Sequence, residues 1–266
     1  MLVTDSSACL PPALFYSPHV RVVPIRILLP NGYLKESPEA TEAIYRALAA
    51  GEALGSAPPT LADYLAGIEE GAFEEALVLT PATELSGMYR LASMASSLSD
   101  RPVEVVDTRS IAAGQYLVAC AALEALAAGA EAAETAGVAR DAASRTELVA
   151  ALPQLGSLPR LAEIALAESA PERGRHPLVR VRDGDLSPLA HPALGGGLDK
   201  LAAAWRASGG PRAESTVVFH SVSEPRALEL CSLLGTEPEI VPFSPSLALQ
   251  LGSGCVGLAW RRRSGV

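Results

Sequence analysis

The 266-residue chain is short of aromatic residues, 5% in all, and of lysine, which occurs only as Lys35 and Lys200. Schiff-base chemistry therefore has two candidates, and neither stands at the end of an expected strand. Cysteine is limited to Cys9, Cys120, Cys231 and Cys255, widely spaced and without a C-x-x-C pair. That spacing argues against a disulfide scaffold or a structural zinc site, and for a reducing, cytoplasmic compartment. The four histidines, His19, His176, His191 and His220, share no metal-ligand spacing and no carboxylate at a fixed offset. A zinc centre or a Ser-His-Asp triad is left without support. Nor is there a G-x-S-x-G, a G-x-x-x-x-G-K-[ST] or a G-x-G-x-x-G after a strand, and Gly195-Gly196-Gly197 reads as a loop. Positive charge is in deficit, 21 Lys+Arg against 30 Asp+Glu for a net charge of -9, which disfavours nucleic acid as a partner.

Export and membrane signals are missing as well. Met1-Leu2-Val3-Thr4-Asp5 runs straight into a polar turn, with no basic region ahead of an apolar stretch. Ile240 to Trp260 is free of charge and precedes Arg261-Arg262-Arg263, but Pro242 and Pro245 suit a buried strand with a tight loop better than a membrane span. What the chain does have is apolar mass: 49% of residues are hydrophobic, enough for a large core and too much for disorder.

Met1 to Thr4 reads as a buried strand ending at Asp5-Ser6-Ser7, and Val20 to Leu29 as a second strand stopped by Pro30-Asn31-Gly32. Helical spacing follows over Pro38–Ala50 and, past Pro58-Pro59, at Leu61, Tyr64, Leu65 and Ile68. Ala76–Thr80 with the loop to Gly87 and a helix through Tyr89, then Val103–Val106 with Asp107–Ser110 and an apolar helix over Ile111–Leu126, repeat a strand, loop, helix unit. Such units predict a parallel α/β sheet of Rossmann-like type, with the loops after Thr4, Thr80 and Val106 gathered on one edge, where such sheets bind ligands. An Ala/Glu helix is expected from Glu131 and a further helical stretch around Leu148. A boundary near residue 150 separates an N-terminal parallel α/β domain, 1–150, from a C-terminal α/β domain with a mixed sheet, 151–266. In the latter, Asp183-Gly184 between Leu178–Val181 and Leu186–Leu189 predicts a hairpin, followed by a helix over Leu198–Ala207, a strand over Ser215–His220, a helix over Glu224–Leu234 and strands at Ile240–Pro242 and Cys255–Trp260.

The chemistry-bearing residues that remain are hydroxyls at expected strand ends: Ser6 and Ser7, Ser56, Thr83 and Ser86, and Thr108 and Ser110. Taken singly, each is an ordinary helix cap; taken together on one edge, they suit an anion that needs donors without a strong countercharge, a carboxylate or a phosphate.

Five stretches carry a resemblance. Val3-Thr4-Asp5-Ser6-Ser7-Ala8-Cys9-Leu10-Pro11 resembles the TDSSxDLP opening of the DegV family of bacterial fatty-acid-binding proteins, and Val22-Val23-Pro24-Ile25 its VVPL. Leu85-Ser86-Gly87-Met88-Tyr89 is similar to LSGTY, Val105-Val106-Asp107-Thr108 with Gly114 to VxDS...G, and Gly252-Ser253-Gly254-Cys255-Val256-Gly257-Leu258 to the terminal HxGPGxxGL. The resemblance implies a two-domain, non-enzymatic protein without cofactor that binds a long-chain fatty acid, its carboxylate at the domain junction and its tail in an apolar tunnel. Some members present the acid to a kinase, which makes a fatty-acid kinase an implied partner. Ser86 matches the carboxylate-binding Ser and Ser56 the Ser of a TSQP loop, with Thr83, Ser6 and Gly252 in neighbouring motif positions. Gly55 stands where that loop has Thr, Gln250 where the terminal motif has His, and Leu155-Gly156-Ser157-Leu158 where a GGRI loop supplies Arg. Two other readings stay open: a diverged protein of this fold that has lost lipid binding, and a binder or transferase of a phosphorylated small molecule.

Overall fold

A computed structural model describes residues 1–153, 175–194 and 197–264; Gly195, Gly196 and the Leu155–Leu158 stretch lie outside them. The elements run β1 (Leu2–Asp5), α1 (Pro12–Phe15), β2 (Val20–Val23), β3 (Arg26–Leu29), β4 (Gly32–Lys35), α2 (Pro38–Ala49), β5 (Gly55–Ala57), α3 (Leu61–Glu69), β6 (Ala76–Thr80), α4 (Met88–Ser96), β7 (Val103–Asp107), α5 (Ala113–Ala127), α6 (Ala132–Arg145) and β8 (Thr146–Ala151). They continue with β9 (Arg175–Arg182), β10 (Asp185–Leu194), α7 (Leu198–Ala207), β11 (Ser215–His220), α8 (Glu224–Leu234), β12 (Glu239–Pro242), α9 (Pro245–Leu251) and β13 (Val256–Arg261).

Strands β2-β1-β6-β7 form a fully parallel sheet. Its two central strands, Leu2–Asp5 and Ala76–Thr80, are buried along their whole length, which is why they read as continuous apolar runs rather than alternating ones. The second sheet, β10-β9-β8-β13-β11-β12, is mixed: only β11 and β12 are parallel. The architecture is thus α/β in two domains, a Rossmann-like parallel layer and a mixed-sheet layer.

Five layers stack in order. Helices α3 and α4 cover the outer face of the parallel sheet around Val3, Tyr64, Ile68 and Val78. Helices α7 and α8 cover the outer face of the mixed sheet around Trp205, Leu230, Leu258 and Trp260. Helix α5 lies between the two sheets, against β1 and β6 on one side and β8, β11 and β13 on the other. This position explains its apolar circumference: nine of its residues are buried, and a helix sandwiched by sheets has no face to leave polar. Its one long polar side chain there, Gln115, donates to Thr4 Oγ1 at 3.0 Å and Asp5 Oδ2 at 2.9 Å, so the layer is pinned to the end of β1. Gly114 is obligatory for the close approach: a Cβ would stand 1.9 Å from Ser110 Oγ.

Three expectations need correction. The stretch around Leu148 is not helical but a strand, Thr146–Ala151, buried throughout and paired with both β9 and β13. Its Glu, Leu and Ala content favours helix locally, and pairing on both edges overrides that preference. Val20–Leu29 is not one strand: Pro24 lacks the N–H a continuous ladder needs, so the chain leaves the parallel sheet at Val23 and re-enters pairing at Arg26. There it forms a separate antiparallel sheet, β4-β3-β5. Between β12 and β13 stands helix Pro245–Leu251 in place of a simple loop. Among the described residues no helix is long and apolar enough to cross a membrane. The expected boundary at residue 150 falls inside β8. The Asp183-Gly184 hairpin forms as read, with φ of +52° and +82° at its two turn residues.

Candidate functional site

The loops after β1, β6 and β7 meet at one edge of the parallel sheet. Thr108 N–H donates to the Thr80 carbonyl at 3.0 Å, Ala82 N–H to the Ser110 carbonyl at 2.8 Å, and Thr83 Oγ1 to Asp107 Oδ2 at 2.7 Å. These bonds knit the three loops together, while the buried Thr80 Oγ1 and Ser110 Oγ have no hydrogen-bond partner among the described residues. Beside it, where helix α9 leans over β5, a cavity of 250 Å³ opens between the lobes.

Ser86, Ser56 and Gln250 all line this cavity, together with Ser7 and Ser246. Ser86 ends the turn that leaves β6: its N–H donates to the Ala82 carbonyl at 3.0 Å, while its Oγ accepts from Met88 N–H at 3.3 Å, and its own proton is free for a further acceptor. Ser56 sits at the centre of β5, opposite Ile27, and its Oγ accepts from Gln250 Nε2 at 3.2 Å. Gln250 retains a second N–H, so two hydroxyl protons and one amide proton converge on the cavity from three separate elements. The rest of the wall is apolar, Ile25, Leu85, Met88, Leu91, Ile111 and Leu247 among it, and among the described residues none that lines the cavity carries a charge.

The other four candidates stand apart from this lining. Gly55 pairs with Leu28, and a Cβ there would touch Leu28 Cδ1 at 3.5 Å, away from Ser56's face of the strand. Thr83 is exposed and engaged with Asp107. Gly252, φ +91°, ends helix α9 with its N–H on the Ala248 carbonyl at 2.8 Å, a backbone role that fixes where Gln250 stops. Ser6 turns to the opposite side: its Oγ accepts from Ile25 N–H at 2.9 Å and donates to Glu36 Oε2 at 2.5 Å, on the wall of a second cavity of 220 Å³. Ser7 takes the inner position, because the chain makes a single 3-10 turn over Ser6–Ala8 that alternates the two side chains.

Behind the hydroxyl wall lie two buried carboxylates. Asp5 accepts from Ser7 N–H at 2.9 Å, Ser7 Oγ and Gln115 Nε2. Glu36 accepts from Ser6 Oγ, Ser244 Oγ at 2.7 Å and Ser246 N–H at 2.8 Å. Burial pushes both carboxyls above their ordinary range, and those donors oppose the shift. Cys255 at the apolar end is pushed up to about 12 by burial, a packing residue rather than a nucleophile.

From Ile111 the cavity abuts a narrow chamber of 20 Å³ whose wall, among the described residues, is apolar, drawn from β8, β9 and β10 (Leu148, Val179, Leu186) and from Phe219, Phe243 and Leu251. Among the described residues no cluster of three or more His, Cys, Asp or Glu could hold a metal ion. Sequence reasoning passed over Ser246 and this chamber. The signal for Ser246 was present, since Ser244-Pro245 is a cap followed by a first-turn proline; the chamber has no local signature, its wall being assembled from residues as far apart in the chain as Ile111 and Cys255.

The chain matches over residues 1–263 the family model described as "Uncharacterised protein, DegV family". A DegV domain-containing protein of Mycobacterium tuberculosis is 29% identical over 273 residues, covering 97% of this chain and 95% of that one. Among solved structures, DegV from Bacillus subtilis, described as a fatty acid binding protein, superposes with a TM-score of 0.83 at 16% identity, over 98% of both chains. A DegV family protein from Ruminococcus gnavus, refined with vaccenic acid, superposes with a TM-score of 0.84 at 18% identity, over 97% of this chain and 98% of that one.

Proposed function

Because this chain belongs to the DegV family, we propose that it is a non-enzymatic lipid-binding protein that holds one long-chain fatty acid between its lobes, the division between them lying at the entry to β8. The carboxylate takes hydrogen bonds from Ser86, Ser56 and Gln250, with Ser7 beside them, and the tail follows Ile111 into the apolar chamber. Thr83, Ser6, Gly55 and Gly252 act on this site only through the backbone and loops they fix. One observation carries the reading: a cavity whose head end offers unspent donors shares Ile111 with a neighbouring chamber that, among the described residues, is lined by apolar side chains. That is the polarity profile of an amphiphile with a hydrogen-bonding head. The relatives named above, one described as fatty acid binding and one refined with vaccenic acid, support it.

A head held by the neutral donors of the described residues takes less from electrostatics than an ion pair would, so the tail supplies most of the affinity, roughly 0.8 kcal/mol for each CH2 buried. Presentation of the acid to a kinase and a cytoplasmic location rest on the motif resemblance and the cysteine pattern alone. The narrowness of the chamber, 20 Å³, favours one competing reading, a fold kept for protein contact after the ligand was lost. Native mass spectrometry of freshly purified protein, followed by extraction and lipid identification, separates the two. A fatty acid at near one-to-one ratio is expected; a bare protein mass together with no saturable binding of added long-chain acid would sink the lipid reading.

A further inference from the structure

Three cavities lie in series. The head cavity and the apolar chamber share Ile111, and the apolar chamber and the outer cavity of 220 Å³ share Phe243. Phe243 therefore stands between the chamber and a space beyond it. That space has an apolar side, Leu10, Pro12 and Phe15, and a polar side that includes Glu36 and Thr41.

The partition is firmly mounted. Phe219 stands opposite Gly257 in the β11–β13 ladder, and a Cβ on Gly257 would fall 2.4 Å from Phe219 Cζ, so the ring rests directly on the glycine backbone. Phe243 stacks on that ring, with centroids 5.3 Å apart and planes 13° from parallel. The Phe243 carbonyl accepts from Tyr45 Oη at 2.9 Å, which ties it to α2 across the lobe boundary. Beyond the ring, Glu36 is a buried carboxylate fully engaged with serine and backbone donors; a hydrocarbon tail pushed through would desolvate it further.

We infer that Phe243 is the stop of the acyl chamber and sets the longest chain the protein accepts, an inference that rests on the lipid reading of the same site. With Phe243 in place, affinity climbs as methylenes are added and then turns down once the terminal methyl meets the ring. Removing the ring joins the chamber to the outer cavity and moves the turning point to longer chains, each extra buried methylene adding about fourfold in affinity.

The test titrates a graded series of straight-chain saturated acids, from lauric to arachidic, into delipidated protein by displacement of a fluorescent fatty-acid probe. Phe243→Ala is expected to shift the optimum by at least two methylenes, Phe243→Leu by less, and Thr41→Phe on the Phe243→Ala background to shift it back by filling the outer cavity. The last arm separates a joined cavity from general loosening, which a bulky residue on α2 would not reverse. Phe243→Leu keeps most of the apolar volume and carries the test if the alanine variant does not fold. An unchanged optimum in a folded Phe243 variant that still binds acids overturns the inference alone; no binding of any acid by the unaltered protein overturns the lipid reading and this inference with it.

Discussion

Ser86 and Ser56 reach the same cavity from different sheets, one from the turn after β6 and the other from the middle of β5. Their hydroxyls are neutral donors, so each is worth a single hydrogen bond and no more. Ser86→Ala and Ser56→Ala should each weaken fatty-acid binding by about tenfold, read by titration, while leaving the melting temperature of delipidated protein close to that of the parent. A second residue-scale effect follows from Glu36. Burial raises its carboxyl above 4.5, so between 4.5 and the raised value the folded chain binds more protons than the unfolded one. Stability from this group is therefore present at low pH and declines as pH rises through that window. Glu36→Gln should flatten that decline, measured as urea midpoints against pH for both proteins. Ser86 and Ser56 were legible in sequence because short motifs surround them; the exchange of Ser7 for Ser6 was not, because one 3-10 turn decides which of two adjacent hydroxyls faces inward.

At the scale of elements, the turn of the β9–β10 hairpin is tied to the loops after β6 and β7. Arg109 Nη2 donates to the Asp183 carbonyl at 2.6 Å, Gly184 N–H to the Arg109 carbonyl at 2.9 Å, and Gly184 lies against the Glu84 carboxylate. The Asp-Gly signal was plain, since both turn positions need positive φ. What it braces against came only from packing. Gly184→Ala puts a side chain at a φ of +82°, while the exposed Glu84 carboxylate 2.5 Å from the new Cβ can swing aside; the strained backbone should cost about 1–3 kcal/mol in a denaturant titration. Helix α9 and strand β8 were misread for opposite reasons. The Ser244-Pro245 start was buried in an uncharged run, and Thr146–Ala151 has a helix-favouring composition that pairing on both edges overrules.

For the whole molecule, the layer of α5 and α6 serves both sheets: one continuous apolar cluster runs from Leu2 and Leu79 through Leu117 and Ala136 to Leu148, Val179 and Phe219. A ligand seated beside that layer touches both lobes and stabilises them together. Saturating fatty acid at a hundredfold excess over its Kd should add about 2.7 kcal/mol, raising the melting temperature by several degrees for a chain of this length; a lipid that binds only one lobe would instead split the transition in two. The sequence by itself determined the α/β class, the parallel pairing of the first sheet, the hairpin turn and the family, because these rest on periodicity, on φ-restricted turns and on short runs of neighbouring residues. The tertiary structure alone decided which hydroxyls converge, that Gln250 donates to Ser56, that Leu148 belongs to a strand, and which side chains line the apolar chamber. The reason is that a cavity wall is made of side chains from distant strands and helices, and their meeting depends on layer packing that no local stretch of sequence encodes.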